Sequence, residues 1–214
     1  MNFIYQRPLH QAYSSTTPAS KALSKQLQIV MQLLQAKDNE FYNKYGIRRC
    51  WFIRSLDDVF LEIKQHQEFL KKRNPRTFDF STMYACLIHE RIIKNVRIAI
   101  EWAKEYAHQL NSTDGRRHYN TASGLAPTEW IMQHVEFVVK NTFFYNGKVV
   151  RHQEIGLPMG TNSAQELANL TLHVDEAIFI DSLIKAKQIE EAKQHSDNFR
   201  LIDDIFIGRR TPNL

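Results

Sequence analysis

Two adjacent aspartates near the end of the chain, Asp203 and Asp204, could do chemistry because of where they lie. They separate two apolar runs, 201–202 and 205–207, that are typical of the strands of a hairpin. Two like charges beside a core are costly unless a cation compensates them. The pair is therefore either a cation-binding site or an ordinary Asp-rich turn exposed to water.

A third carboxylate, Asp79, stands between Phe78 and Phe80 at the end of a predicted strand. One interpretation is that it caps the helix that follows. The other is that it converges with Asp203 and Asp204 to bind two divalent cations, roughly 3.5–4 Å apart. Such a pair of cations activates a 3′-hydroxyl and stabilises a departing pyrophosphate. Hard oxygen ligands favour Mg²⁺ in that role.

A glycine-rich loop forms the third element, running Gly156-Leu157-Pro158-Met159-Gly160 before a predicted helix. Two glycines let the backbone approach a ligand closely, and a helix N-terminus favours anionic or polar groups. Taken alone the loop is weak support for a site, because many joints between a hairpin and a helix carry Gly and Pro.

The elements that must position these residues predict an α+β fold, with long helices and a small antiparallel sheet. Helices are expected from Thr17 to about Gly46, from Ser55 to about 73, over about 88–110, from Pro127 onward and over about 163–187. Strands are expected at 50–53 and 77–80, and hairpins at 142–151, turning at 146–147, and at 200–207, turning at 203–204. The inward face of the second helix is predicted to comprise Val59, Phe60, Ile63, Phe69 and Leu70.

Composition excludes several classes of protein. Hydrophobic residues make up 43% of the 214 residues and charged residues 24%, so the chain is neither disordered nor collagen-like. There is no apolar run of about 18 residues and no apolar stretch of the kind that a secretory signal carries near the N-terminus. These features predict an intracellular protein, nuclear or cytoplasmic, that is not secreted and has no membrane partner.

Charge and metal-ligating residues give two further expectations. Residues 1–78 carry 13 Lys and Arg against 6 Asp and Glu, which suggests a polyanion partner, although a solvated face explains most such runs. Two cysteines are too few for a four-cysteine zinc site, and the nine histidines show no paired-ligand spacing. His89, His134 and His173 are therefore predicted to lie on helix faces without a metal.

The order of the three elements resembles motifs A, B and C of reverse transcriptases, at 77–84, 156–170 and 200–207. The chain is most similar to the Penelope-like retroelement group, which is related to telomerase reverse transcriptase, and the similarity covers about residues 3–209. The resemblance implies fingers at 1–76 and a palm at 77–214, with no thumb. It also implies RNA-directed DNA synthesis with an RNA template, a DNA primer, deoxynucleoside triphosphates and two Mg²⁺ or Mn²⁺ ions.

The resemblance assigns roles to individual residues. It makes Asp79 and Asp203 the catalytic, metal-binding aspartates and Asp204 the auxiliary one, with the carbonyl of Phe80 as a further metal ligand. Tyr84 would be an aromatic sugar gate, and Arg7 would contact the triphosphate. The full set of substrate-binding residues that it implies is Arg7, Phe80, Thr82, Met83, Tyr84, Met159 and Gly160.

The chain departs from the family pattern in three places. Ala164-Gln165 stands where Ser-Pro or Ala-Pro is usual, and the Leu201-Ile202 pair lacks the aromatic that often precedes the acidic residues. Ten residues follow Asp204, so a thumb would have to come from a partner chain or a C-terminal continuation. The alternative hypothesis is a catalytically weak or inactive module that binds nucleic acid or serves assembly.

Overall fold

A computed structural model describes residues 16–65, 76–80, 82–113, 124–146, 148–158 and 160–207. In chain order the described elements are α1 Thr17–Tyr45, α2 Leu56–Gln65, β1 Arg76–Asp79, α3 Met83–Cys86, α4 His89–Thr113, α5 Thr128–Lys140, β2 Phe143–Asn146, β3 Val149–His152, α6 Ala164–Lys185, α7 Ile189–Gln194, a 3₁₀ turn His195–Asp197, β4 Phe199–Leu201 and β5 Asp204–Ile207. The protein is thus mixed α+β and mostly helical, with a small antiparallel sheet, as the sequence predicts.

The first helix is confirmed at both ends. It begins at Thr17, with Pro18 in the position where a missing N–H costs nothing. It ends where Gly46 takes a positive φ of 66° and donates its N–H to the carbonyl of Tyr42 at 2.7 Å. One face is fully buried, as its spacing predicts; it comprises Leu23, Leu27, Val30, Leu33 and Leu34.

The start of α2 is confirmed, but its predicted inward face is not. Asp58 donates its backbone N–H to the Ser55 hydroxyl at 3.2 Å, and the Asp58 carboxylate accepts the N–H of Ser55 at 3.1 Å. Phe60 is nevertheless 69% exposed and Ile63 38% exposed, while Phe69 and Leu70 lie outside the described residues. Periodicity tells which side chains share a face of a helix, but it does not tell whether a neighbour covers that face.

The three-stranded sheet has the order β1-β5-β4, and both of its strand pairs are antiparallel. The expected strand at 50–53 is reduced to a parallel bridge between Phe52 and Arg200. Backbone hydrogen bonds hold this bridge on both sides, from Arg200 N–H to the Trp51 carbonyl (2.6 Å) and from Ile53 N–H to the Arg200 carbonyl (2.9 Å). The segment that follows α1 is therefore tied to the outer edge of β4.

A separate hairpin pairs β2 with β3, with Phe143 opposite His152 and Asn146 opposite Val149. The hairpin is confirmed, but Asn146, which the sequence places in the turn, pairs with Val149 as the last residue of β2. The turn therefore begins after Asn146, one residue later than the sequence predicts.

Two compact units make up the described chain. The first comprises the described residues within Met1–Leu33 and Thr82–Thr171, and the second those within Leu34–Ser81 and Leu172–Leu214. The predicted division at residue 76 into fingers and palm stays a prediction, because these units are defined by packing alone. No helix among the described residues is both long and apolar enough to cross a bilayer.

Gly156, in the first unit, lies in close contact with the backbone of a neighbouring segment. Its N–H donates to the Leu87 carbonyl at 2.8 Å, and the next N–H, that of Leu157, donates to the Tyr84 carbonyl at 2.6 Å. The carbonyl of Gly156 lies 2.9 Å from Nε2 of the buried His89. Its φ is +90°, and a Cβ placed there would lie 2.5 Å from the Tyr84 carbonyl oxygen. Only glycine fits this position without a shift of the backbone.

Replacing Gly156 should therefore destabilise the fold more than replacing Gly160. Gly160 also has a positive φ, +100°, but a Cβ there would meet nothing within 4 Å. Gly160→Ala should cost about 1–3 kcal/mol of unfolding free energy from backbone strain alone. Gly156→Ala adds the collision with backbone and should cost clearly more, as measured by urea unfolding. Equal losses in the two variants would contradict the close approach.

Candidate functional site

The sheet brings the predicted acidic residues together at one end of two strands. Asp79, the last residue of β1, is the register partner of Asp204, the first residue of β5. Phe80 donates its N–H to the Asp203 carbonyl at 3.0 Å, which extends the pairing by one step. All of these residues belong to the second unit. Partners that face each other directly in an antiparallel pair have neighbouring side chains.

The turn beside them differs from the prediction. Leu201 pairs with Asp204, so the two-residue connection is Ile202-Asp203, and Asp204 belongs to the strand. Ile202 takes a positive φ of 59°. That conformation is rare for a β-branched residue and persists only where the surroundings enforce it.

Arg200 helps to hold Ile202 in this conformation. Its guanidinium donates from Nη1 to the Ile202 carbonyl at 2.8 Å and from Nε to Glu176 Oε1 on α6 at 2.9 Å. The Arg200 side chain is only 1% exposed and that of Glu176 11%. The planar fork of an arginine presents donors in fixed positions, so it can make both bonds in one rigid geometry. A buried ion pair therefore fixes the turn that carries Asp203.

Among the described residues, no neighbouring cation neutralises the three aspartates. Within the described part of the chain, no Lys, Arg or His nitrogen forms an ion pair with Asp79, Asp203 or Asp204. Asp79 and Asp204 are exposed, and Asp203 is half-buried. Like charges directly opposite each other in a sheet are destabilising. The arrangement would gain stability from a bound cation.

The donor set fits Mg²⁺ by type, because carboxylate and carbonyl oxygens are its usual ligands. The oxygens of the three aspartates do not, however, all lie within 4.8 Å of one another. Among the described residues, the group that meets this limit is Asp38, Cys50 and His173. The pair of magnesium ions therefore stays a prediction.

The other predicted residues fall into three sets. Phe80 lies beside the acidic residues in the second unit and is 42% exposed. Thr82, Met83 and Tyr84 belong to the first unit, where Met83 is buried, Tyr84 half-buried and Thr82 exposed. Gly160 is exposed in that same unit. Arg7 and Met159 lie outside the described residues.

Sequence reasoning missed two buried polar groups, Arg200 and Glu166, that hold neighbouring elements together. The first is Arg200, whose signal was a lone charge in an apolar strand. The second is Glu166 on α6, whose Oε1 accepts hydrogen bonds from Ser24 Oγ at 2.8 Å and Gln28 Nε2 at 2.9 Å. Nearby, the Ser20 hydroxyl accepts the Ser163 N–H at 3.0 Å at the start of α6. These bonds join α1 to α6 within the first unit.

Comparison with known proteins gives no match, whether against family models, curated proteins or solved structures.

Breaking the ion pair beneath the turn should destabilise the protein strongly. Arg200→Met leaves Glu176 buried without its partner and should cost about 3–5 kcal/mol of unfolding free energy. Arg97→Met is the matched control, because its pair with Glu129 is exposed (38% and 72%) and screened by water, so its loss should be far smaller. Adding Glu176→Leu to Arg200→Met should recover part of the loss, as measured by urea unfolding. A loss in Arg200→Met no larger than that of the control would contradict the role of the pair.

Proposed function

We propose that this chain is a reverse-transcriptase-like palm with adjoining fingers, which catalyses template-dependent nucleotidyl transfer. The observation that carries the proposal is the register of β1 and β5. It sets Asp79 opposite Asp204 and joins Phe80 to Asp203, so residues far apart in sequence meet at one end of the sheet. The order of motifs A, B and C along the chain gives this meeting its interpretation as a polymerase centre.

In this proposal Asp79, Asp203 and the carbonyl of Phe80 hold the metal ions, and Asp204 assists. Bound ions of this kind polarise phosphoryl oxygens and assist both the attacking and the leaving oxygen. The chain's own contribution is to hold the carboxylates in place through the sheet register and the Arg200 contact to the turn. Preorganised ligands lower the barrier because no reorganisation is needed at the moment of reaction.

The template is proposed to be RNA, the growing strand DNA and the substrates deoxynucleoside triphosphates. This choice follows from the resemblance to Penelope-like and telomerase-related reverse transcriptases. The excess of Lys and Arg in residues 1–78 suits a phosphate backbone, because basic side chains bind it without reading its sequence. A retroelement origin follows from the same resemblance.

Substitution of Asp203 should remove both metal binding and nucleotide incorporation. Wild type in Mn²⁺ should gain about 2.7 kcal/mol of stability when the ion is present at 100 times its dissociation constant. Asp203→Asn should lose most of that gain, and its single-nucleotide incorporation on an RNA template should fall at least about 100-fold, which corresponds to a few kcal/mol. Thermal melts and a primer-extension assay measure the two effects.

The control is Asp57→Asn, which removes the same charge from an exposed position on α2 in the same unit. It should keep both properties. If Mn²⁺ stabilises all three proteins equally, the metal site is wrong. If the metal effect is specific to Asp203 but no incorporation occurs, the non-catalytic alternative, a module that binds nucleic acid or serves assembly, replaces the polymerase.

Tyr84 is expected to exclude ribonucleotides, because the resemblance puts an aromatic ring under the incoming sugar, where a 2′-hydroxyl would collide. Tyr84→Ala should raise the ratio of ribonucleotide to deoxyribonucleotide incorporation, while Tyr84→Phe, which keeps the ring, should leave it unchanged. Single-nucleotide incorporation of both sugars measures the ratio, and a melt confirms that each variant is folded. An unchanged ratio in a folded Tyr84→Ala protein would refute the gate.

A further inference from the structure

Three potential metal ligands of different chemistry meet in the second unit, apart from the acidic turn. Asp38 comes from α1, Cys50 from the segment after it, and His173 from α6. The ligand atoms, one from each residue, all lie within 4.8 Å of one another. Asp38 is 4% exposed and His173 1%, so these two ligands are shielded from water, and Cys50 is half-buried.

The two oxygens of the Asp38 carboxylate point to different neighbours. Oδ1 lies 3.7 Å from Nε of Arg49, and Oδ2 lies 3.4 Å from Nε2 of His173. Oδ2 is buried and accepts no hydrogen bond from the described residues. Two ligands bound at about 2.0–2.2 Å to a tetrahedral zinc ion are separated by roughly 3.4 Å. The carboxylate and the imidazole are thus already spaced as two ligands of one ion.

Two of the three side chains, those of Asp38 and His173, have protonation states that suit metal binding. Burial raises the pKa of Asp38 to about 6, with Arg49 opposing the shift, so the carboxylate is mostly ionised at pH 7. Burial, aided by Arg49 and Arg200, lowers the pKa of His173 to about 3, which leaves the imidazole neutral and able to donate a lone pair. Burial raises the pKa of the Cys50 thiol, so this group needs a cation to become a thiolate.

We propose that Asp38, Cys50 and His173 bind one zinc ion. A thiolate, an imidazole and a carboxylate together form a mixed sulfur, nitrogen and oxygen set that suits Zn²⁺ and disfavours Mg²⁺. Binding displaces the proton of the Cys50 thiol, which leaves to solvent. The charges of the ion, the thiolate and the carboxylate then sum to zero, which makes the buried group electrically neutral. This site is independent of the proposed polymerase centre.

In a competing interpretation, the guanidinium of Arg49 alone compensates the negative charge of Asp38. That side chain is shared, however: its Nη2 lies 3.5 Å from Asp181 Oδ2, and it stacks over Phe41 at 4.9 Å. Its contact with Asp38 is at Oδ1, whereas His173 lies at Oδ2. An outer contact of this kind orients a ligating carboxylate without occupying the metal position.

The test is cobalt substitution in the full chain, prepared without a histidine tag and stripped with a chelator. One Co²⁺ per chain should bind to wild type, with the near-ultraviolet charge-transfer band that cobalt shows when a thiolate is a ligand. Cys50→Ser should abolish the band and weaken binding by about 100-fold or more, since even outer-sphere changes cost roughly 10–100-fold. Cys86→Ser is the matched control, because Cys86 is the exposed cysteine of the first unit, and it should keep the band.

Two further proteins keep the test decisive. Asp38→Asn retains the thiol and should still weaken Co²⁺ binding, so the proposal does not depend on the folding of one variant. Asp203→Asn should leave the band unchanged, which separates this site from the polymerase centre. The zinc site is overturned if wild type binds no Co²⁺ with a thiolate band, or if the band survives Cys50→Ser.

Discussion

The buried pair of Arg200 and Glu176 is the interaction on which the second unit most depends. The Arg200 guanidinium donates hydrogen bonds to Glu176 on α6 and to the Ile202 carbonyl in the turn. The backbone of Arg200 is hydrogen-bonded to the segment at 51–53. Burying such a pair is expensive and gives little net stability over an apolar core. What it provides is position, because the turn it holds contains a β-branched residue in a left-handed conformation.

Two acidic environments in this unit differ in a way that bears on ion selectivity. At the strand ends the donors are hard oxygens, open to water and close to one another along the backbone. At Asp38, Cys50 and His173 the donors differ in softness, two of them are buried and Cys50 is half-buried. Selection between cations rests on ligand softness and geometry more than on charge. The two proposed sites in this unit would therefore favour different cations.

The sequence predicts much of the fold because helix caps and turns are local. Thr17, Gly46 and Ser55 mark helix ends that the structure confirms, and Gly46 and Ser55 do so through hydrogen bonds to residues three or four positions away. Both hairpins are also predicted, yet Asn146 and Asp204, which the sequence places in turns, are paired within strands. Register is decided by pairing with other strands and by buried side chains, and neither is visible in a local window.

The same difference between local and non-local signals applies to the two candidate sites. Asp79, Asp203 and Asp204 stand out in sequence because each interrupts an apolar strand, and the sheet does bring their backbones together. The group at Asp38, Cys50 and His173 has no such signal, because its members are spread over three elements and lack a regular spacing. The exposed face of α2 was missed for a related reason, since burial depends on the neighbours that a helix finds.

The strand order also limits when this protein can fold. β1 lies at 76–79, whereas its partner β5 lies at 204–207 and is the central strand of the sheet. Closing a loop of that length carries an entropic cost before any pairing compensates it, and such non-local pairing slows folding. During synthesis the helices of α1 and α4 can form early, but β1 must wait as an unpaired strand until β5 has been made. The nascent chain is therefore exposed to aggregation through β1 from the synthesis of β1 until that of β5.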